Sequence, residues 1–279
     1  MTVLDLLTSG TKYLSQHGVE HSQLNAEYLL AHTLGKKRMS LRLELRQSIG
    51  MLEHKFFWEL VRHRAKHYPL QYILGTVEFY GRQFFCDQRA LIPRQETELL
   101  VELAMPFLLR LDVPITLLDV GTGSGVIAAT LAIEVPGAFI DATDISQDAL
   151  KLAAENLEKH RLTEHVQLQV ADLLPAYEAC YEGIFANLPY IPTGEVITLP
   201  PEVQHEPVEA LDGGPGGIFT IKRLINSAGP YLRPGGKIWL EIGHQQGRAT
   251  ISSLRQNGFR EIKAHRDYNN SLRFISGKR

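Results

Sequence analysis

Each thing this 279-residue chain is short of closes off a class of protein. Its two cysteines, Cys86 and Cys180, stand far apart and outside any paired spacing. That excludes a zinc ribbon or a disulfide framework and predicts free thiols buried as small apolar groups. Lys and Arg number 29 against 31 Asp and Glu, a net charge of −2. A protein that grips duplex over many phosphates carries a basic excess, so stable nucleic-acid binding is not expected. No apolar run approaches the length of a membrane span, and the first residues lack the basic-then-apolar pattern of an export signal, so the expectation is a cytoplasmic protein without a membrane partner. Hydrophobic content of 44% and charged content of 22% fit an ordinary globular chain, long enough for one large or two ordinary domains.

What is there is organised around the stretch from Thr116 to Ala129. An apolar run ends at Asp119 and Val120, Gly121, Gly123 and Gly125 follow at every second position with Thr122 and Ser124 between them, and a helix-forming apolar segment begins at Val126. This reads as strand, tight turn and helix N-terminus. Glycines let the backbone turn sharply and let a ligand lie against bare amides, while Asp119 can accept hydrogen bonds from a cationic amine. Gly123-x-Gly125-x-x-Ala128 also satisfies a loosened dinucleotide fingerprint, which leaves a nicotinamide or flavin enzyme open on these residues alone. Asp119, two residues before the first glycine, tilts the pattern towards the first motif of S-adenosylmethionine-dependent methyltransferases, which it resembles.

Before this stretch, apolar residues at helical spacing around Leu24 to Leu34 and Leu52 to Val61 predict short helices, with Gly35 as a stop and Pro69 beyond the second. The cluster Arg62-His63-Arg64-Ala65-Lys66-His67 lacks the glutamate of a zinc-hydrolase helix and is expected to be a solvated helix face, so no metal site is predicted. Two β-like runs flank Gly81 as a hairpin. In Ile92-Pro93-Arg94, followed by Glu96 and Glu98, the acids suit a helix start, whereas Arg94 has no such local reason and is a candidate substrate contact.

From Thr116 onwards strands and helices alternate, as in a doubly wound α/β sheet. The second strand ends at Asp144, about 20 residues past the glycines, where a carboxylate can accept both ribose hydroxyls of an adenosine. After the third strand, Val166 to Val170, Asp172 could accept from the adenine amine and Leu173 pack on the ring. A fourth buried strand ends in Asn187-Leu188-Pro189-Tyr190. The Asn187 side-chain carbonyl and the Leu188 main-chain carbonyl offer two acceptors, and Tyr190 a flat wall, for a planar NH2 such as a glutamine amide or an adenine amine. Such a nitrogen is a poor nucleophile, and acceptors on its hydrogens favour the positive charge that grows as it attacks. Pro192 to Gly217, rich in proline, glycine and acids, is expected to form a substrate-facing flap beside Asn187.

Nearly end to end, the chain resembles the release-factor glutamine methyltransferases of the HemK/PrmC type. The resemblance is carried by Ala26 to His32, Gln71 to Gly75, Ile92-Pro93-Arg94 with Glu96-Thr97-Glu98, the glycine motif, Asn187 to Tyr190, Glu206-Pro207, Leu232 to Gly236 and Glu241-Ile242-Gly243. It implies a Rossmann-like, seven-stranded methyltransferase sheet with a small helical N-terminal domain. The expected division is a substrate-recognition domain over 1–75, a hairpin linker over 76–92 and the methyltransferase domain over 93–279. It further implies S-adenosylmethionine held by Gly121 to Gly125, Asp144, Leu173 and Asn187, with a glutamine held by Asn187 to Tyr190, donated by the Gly-Gly-Gln loop of bacterial-type class I release factors. Leu188 departs from the family's usual proline. Asn-Leu-Pro-Tyr is also the form in ribosomal RNA adenine dimethyltransferases, so an adenine amine in RNA or DNA is the alternative acceptor, and a non-catalytic binding protein the reading from another class.

Overall fold

The computed structural model describes residues 1–177 and 180–279. The chain forms two compact units, Met1–Thr76 with Pro200–His205, and Val77–Leu199 with Glu206–Arg279. Pro200–His205, expected within the methyltransferase domain, groups with the N-terminal helices, and the hairpin expected as a separate linker over 76–92 belongs from Val77 on to the second unit.

The first unit is built from α1 (Val3–Gln16), α2 (Ser22–Thr33), α3 (Met51–Arg64) and α4 (Leu70–Leu74). Thr2 and Asp5 close a reciprocal capping box at the start of α1. Leu6, Leu14, Leu29, Leu30, Phe57 and Val61 form its fully buried core. Gly10 is required in α1, since a Cβ there would stand 2.7 Å from Phe57 Cζ. The expected solvated basic face is corrected at Arg64, which is buried because it continues the Phe57–Val61 stripe at helical spacing. Its Nε donates to Asn25 Oδ1 at 2.7 Å, and its guanidinium also pairs with Glu202. A buried guanidinium needs partners of this kind.

Where the second unit begins, β1 (Thr76–Phe79) and β2 (Arg82–Phe85) form a hairpin, turned through Tyr80 and Gly81 at φ +51° and +71°. Phe85 is fastened by Asn156, whose side chain accepts from its amide at 2.6 Å and donates to its carbonyl at 3.1 Å. Next come α5 (Gln95–Leu108), β3 (Ile115–Val120), α6 (Val126–Glu134), β4 (Ala138–Asp144), α7 (Gln147–Lys159), β5 (Val166–Val170) and β6 (Tyr181–Ala186). The chain closes with α8 (Phe219–Ala228), β7 (Leu232–Glu241), α9 (Gly247–Gln256), β8 (Arg260–Arg266) and β9 (Leu272–Lys278).

Among the described residues these strands make one seven-stranded sheet in the order β5-β4-β3-β6-β7-β9-β8. Pairing is parallel from β5 to β7, and antiparallel where β9 inserts between β7 and β8. Side chains alternate between two cores, as the pleat requires. Leu117, Phe185 and Trp239 face a layer shared with α5 and α6, and Leu118, Ile184 and Leu240 one shared with α8 and α9. Phe185 and Trp239 stack at 4.8 Å, nearly parallel. The order reverses between β3 and β6, and ligands of open α/β sheets collect outside the strand ends at such a switch point. Cys86 is buried as expected, whereas Cys180 is exposed, since it lies at the surface just before β6 begins. Among the described residues no helix is long and apolar enough to cross a membrane.

Leu117 is fully buried on the strand that carries Asp119. Leu117→Ala is expected to destabilise the larger unit by about 2–5 kcal/mol through the cavity it leaves. Chemical denaturation followed by Trp239 fluorescence measures this, and an unchanged transition would show that the β3 core does not set the stability of this unit.

Candidate active site

The loop leaving β3 turns through Gly121, Gly123 and Gly125 at φ +71°, +56° and +80°, a region that side chains with a Cβ rarely enter. Gly121 and Thr122 donate their amides to the Thr143 carbonyl at 2.8 and 2.9 Å, which ties the turn to β4. Close approach adds a second constraint. A Cβ on Gly121 would stand 2.9 Å from Leu188 Cδ2, and one on Gly125 would stand 3.1 Å from the Ala153 Cβ. Thr122 and Ser124 are buried, and the Ser124 carbonyl accepts from Asn156 Nδ2 at 2.9 Å.

Asp119 is fully buried beneath this loop. One carboxylate oxygen accepts from Thr122 Oγ1 at 2.6 Å and from the Ala128 amide at 3.1 Å, while Oδ1 has no partner among the described residues. Burial pushes its carboxyl up to about 7, assisted by the nearby Asp144 charge, against the two hydrogen bonds that oppose it. A buried carboxylate with an unsatisfied oxygen is costly, and a cationic amine is the group that relieves it.

Asp144 lies at the end of β4 with its oxygens held by the amides of Gly123 at 2.8 Å and Ser146 at 2.9 Å. Burial raises its pKa against those same bonds. The helix cap is Ser146, whose side chain accepts from the Ala149 amide, so capping does not account for Asp144. Leu173 takes φ +75°, and its carbonyl accepts from Thr143 Oγ1 at 2.6 Å, which brings it to the end of β4. Asp172 is placed differently. Its exposed carboxylate pairs with both Arg223 guanidinium nitrogens, at 2.7 and 3.2 Å.

Asn187 to Tyr190 leave β6 beside the glycine turn, because Asp119 and Val120 pair in register with Phe185 and Ala186. Leu188 is buried, packing its side chain into the core shared with Leu118 and Ile184. Asn187 Nδ2 donates to Thr97 Oγ1 at 3.0 Å, and Thr97 donates to Glu241 Oε2 at 2.8 Å. The Tyr190 hydroxyl donates to the other Glu241 oxygen at 3.3 Å, and the Arg273 guanidinium stands 5.9 Å from the Tyr190 ring centre. Burial pushes the Glu241 carboxyl up to about 7, and burial beside that carboxylate raises the Tyr190 phenol.

The segment expected as a flap is knitted by its C-terminal end to this loop and to Ile191 just after it. Ile191 donates to the Leu211 carbonyl at 3.0 Å and accepts from the Gly213 amide at 2.8 Å. Gly213 and Gly217 lie on bare backbone, since a Cβ on either would fall within 3 Å of Pro189 or Tyr190 main-chain atoms. Gln246 Nε2 donates to the carbonyls of Tyr190 and Gly217 at 2.8 and 3.0 Å. Arg94 is engaged here as well. Its guanidinium pairs at 2.5 Å with buried Glu206, whose second oxygen accepts from the Ile92 amide. Arg94 therefore clamps Glu206, which supplies the reason for this arginine that its own helix start does not.

The structure thus gathers Asp119, the three glycines, Asp144, Leu173 and Asn187 to Tyr190 at one end of the sheet, and turns Asp172 and Arg94 to ion pairs. Thr97, Glu241 and Arg273 are the neighbours of the site that sequence reasoning left without a role. Glu241, an acid ending the apolar run Ile238 to Leu240, carried a signal of the same kind as Asp119.

Residues 5–75 match the PrmC N-terminal domain, and residues 97–206 match the Methyltransferase small domain. A release factor glutamine methyltransferase of Chlorobaculum tepidum is 38% identical, over 99% of this chain and 96% of its own. One from Moorella thermoacetica is 40% identical, over 96% and 95%. Among solved structures, a methyltransferase from Pyrococcus furiosus is 16% identical with a TM-score of 0.53, covering 71% of this chain and 89% of its own, a likeness of fold. By these full-length identities the chain belongs to the release factor glutamine methyltransferase family.

Proposed function

We propose that this protein transfers a methyl group from S-adenosylmethionine to the side-chain amide nitrogen of the glutamine in the Gly-Gly-Gln loop of class I release factors. The observation that carries the reading is the pairing of β3 with β6, through which the glycine turn and Asn187 emerge side by side. The residues fit the cofactor on two counts. Asp119 Oδ1 is a buried acceptor lacking a partner among the described residues, and the glycine turn is a cradle that a Cβ at Gly121 would fill.

Asp119 would hold the cofactor's ammonium, Gly121 to Gly125 its backbone-facing side, Asp144 its ribose hydroxyls and Leu173 its adenine. The bound cofactor supplies an electrophilic methyl group on a sulfonium. Against it, Asn187 presents its amide to the substrate NH2. Because its Nδ2 is taken by Thr97, its Oδ1 is the end left to accept a substrate N–H. That acceptor, with the Leu188 carbonyl and the Tyr190 ring, would aim the nitrogen and favour the positive charge it gains as the N–CH3 bond replaces the methyl–sulfur bond, after which the surplus N–H proton would pass to water. Leu188 in place of proline is explained by its buried contact over Gly121, a packing role that says nothing of the acceptor.

Labelled cofactor incubated with a class I release factor should mark the wild-type factor and leave one with the loop glutamine replaced unmarked. Equal label in both, or label only in RNA, would overturn the reading. Asn187→Ala should lower kcat by about 10²–10³, as loss of one aimed hydrogen-bonding group does, with a much smaller change in the cofactor dissociation constant. A kcat equal to wild type would remove its role. For Asp119 the sign follows from its raised pKa. The ammonium needs the ionised carboxylate, so cofactor affinity is full above about pH 7 and falls by up to about tenfold per pH unit below it. Calorimetry across this range should show that slope in the wild type and its loss in Asp119→Asn. A slope surviving in the variant would assign it elsewhere.

A further inference from the structure

Glu241 and Thr97 have no part in the roles above, yet they stand directly behind Asn187. Glu241 is 2% exposed at the end of β7, next to β6 in the sheet, and Thr97 is 3% exposed in the first turn of α5. An ionised carboxylate only accepts hydrogen bonds. It therefore takes the Thr97 proton across 2.8 Å on one oxygen and the Tyr190 proton across 3.3 Å on the other. With its single proton spent, Thr97 can offer Asn187 only lone pairs. An amide facing a lone pair turns its NH2 towards it and its carbonyl away, as the 3.0 Å bond from Nδ2 has it. A chain of neutral groups could run in either direction, and a carboxylate at its end makes it run in one.

We infer that Thr97 and Glu241 are positioning residues that decide which end of the Asn187 amide faces the substrate. The inference rests on the function proposed above, in which the substrate nitrogen brings donors and needs an acceptor. With the direction reversed, Asn187 would offer NH2 to NH2, and the pair would repel instead of bond.

Protonation of Glu241 provides such a reversal. The groups facing it are Thr97 on α5 and Tyr190 after β6, with Arg273 on β9 and Glu96 on α5 acting through their charge. Burial outweighs the bonds and Arg273, and leaves the carboxyl at about 7. Below that pH a protonated Glu241 can donate to Thr97, which frees the Thr97 proton for Asn187 Oδ1. Turnover at saturating cofactor then falls as pH drops through about 7, separately from any effect on cofactor binding.

The test measures kcat for release-factor methylation at saturating cofactor, together with the cofactor dissociation constant, for wild type, Thr97→Val, Thr97→Ser and Glu241→Gln from about pH 6 to about pH 9. The expected result is a kcat loss of about tenfold or more in Thr97→Val with cofactor affinity within about twofold of wild type. Thr97→Ser should recover most of the rate, and Glu241→Gln should lose the acid limb. Wild-type turnover in Thr97→Val, a serine variant no better than the valine one, an acid limb persisting in Glu241→Gln, or cofactor affinity falling in step with kcat would each overturn the inference. A wild type that binds cofactor and methylates no release factor would instead remove the proposed function, and this inference with it.

Discussion

The pairing of β3 with β6 is the constraint from which the rest of the site follows. Two parallel strands in register, Val120 opposite Ala186, must release their next residues at the same edge of the sheet. One chain end is a glycine turn and the other is Asn187 to Tyr190, so the space above the sheet is bounded by bare amides on one side and side-chain polar groups on the other. The approach is close enough that Gly121 has no room for a methyl group beside Leu188. Conformation and packing thus demand the same residue, and a substitution there would meet both costs.

Around this edge the protein accepts an electrostatic cost twice. Asp119 lies one residue before the end of β3 and Glu241 ends β7, the two strands that flank β6, both almost wholly buried and both with carboxyls pushed up to about 7. Each is only partly compensated, Asp119 by one hydroxyl and one amide, Glu241 by two hydroxyls. Folding alone does not favour such groups, since an apolar residue would pack there at lower cost. Their placement makes sense in terms of what they face: an open acceptor beneath the glycine turn in one case, and the orientation of the Asn187 amide in the other.

Much of this was legible in the chain itself because it is local. The glycine spacing, the alternation of β5 and the acid at the end of β4 each declare themselves within a few residues, and the strands they predict are those observed. What could not be read was partnership across long separations. Thr97 meets Glu241 over 144 residues, Arg94 meets Glu206 over 112, and Arg223 draws Asp172 into an ion pair over 51. Each pairing is created by the tertiary fold, which no short window contains. Arg64 is a different case. Its place in the Phe57–Val61 stripe was visible in the spacing, but a charge at that position reads as solvent-facing until its partners Asn25 and Glu202 are known.

The central claim is that the two strand ends form one site. It is tested most directly by an NMR titration of the isotope-labelled protein with S-adenosylmethionine, followed by a release-factor loop peptide. The account predicts that the amides of Gly121 and Gly123 and the side-chain amide of Asn187 shift together along one binding curve, and that the peptide then perturbs Asn187 and Tyr190. Shifts of the glycine amides with Asn187 unmoved by either ligand would contradict it.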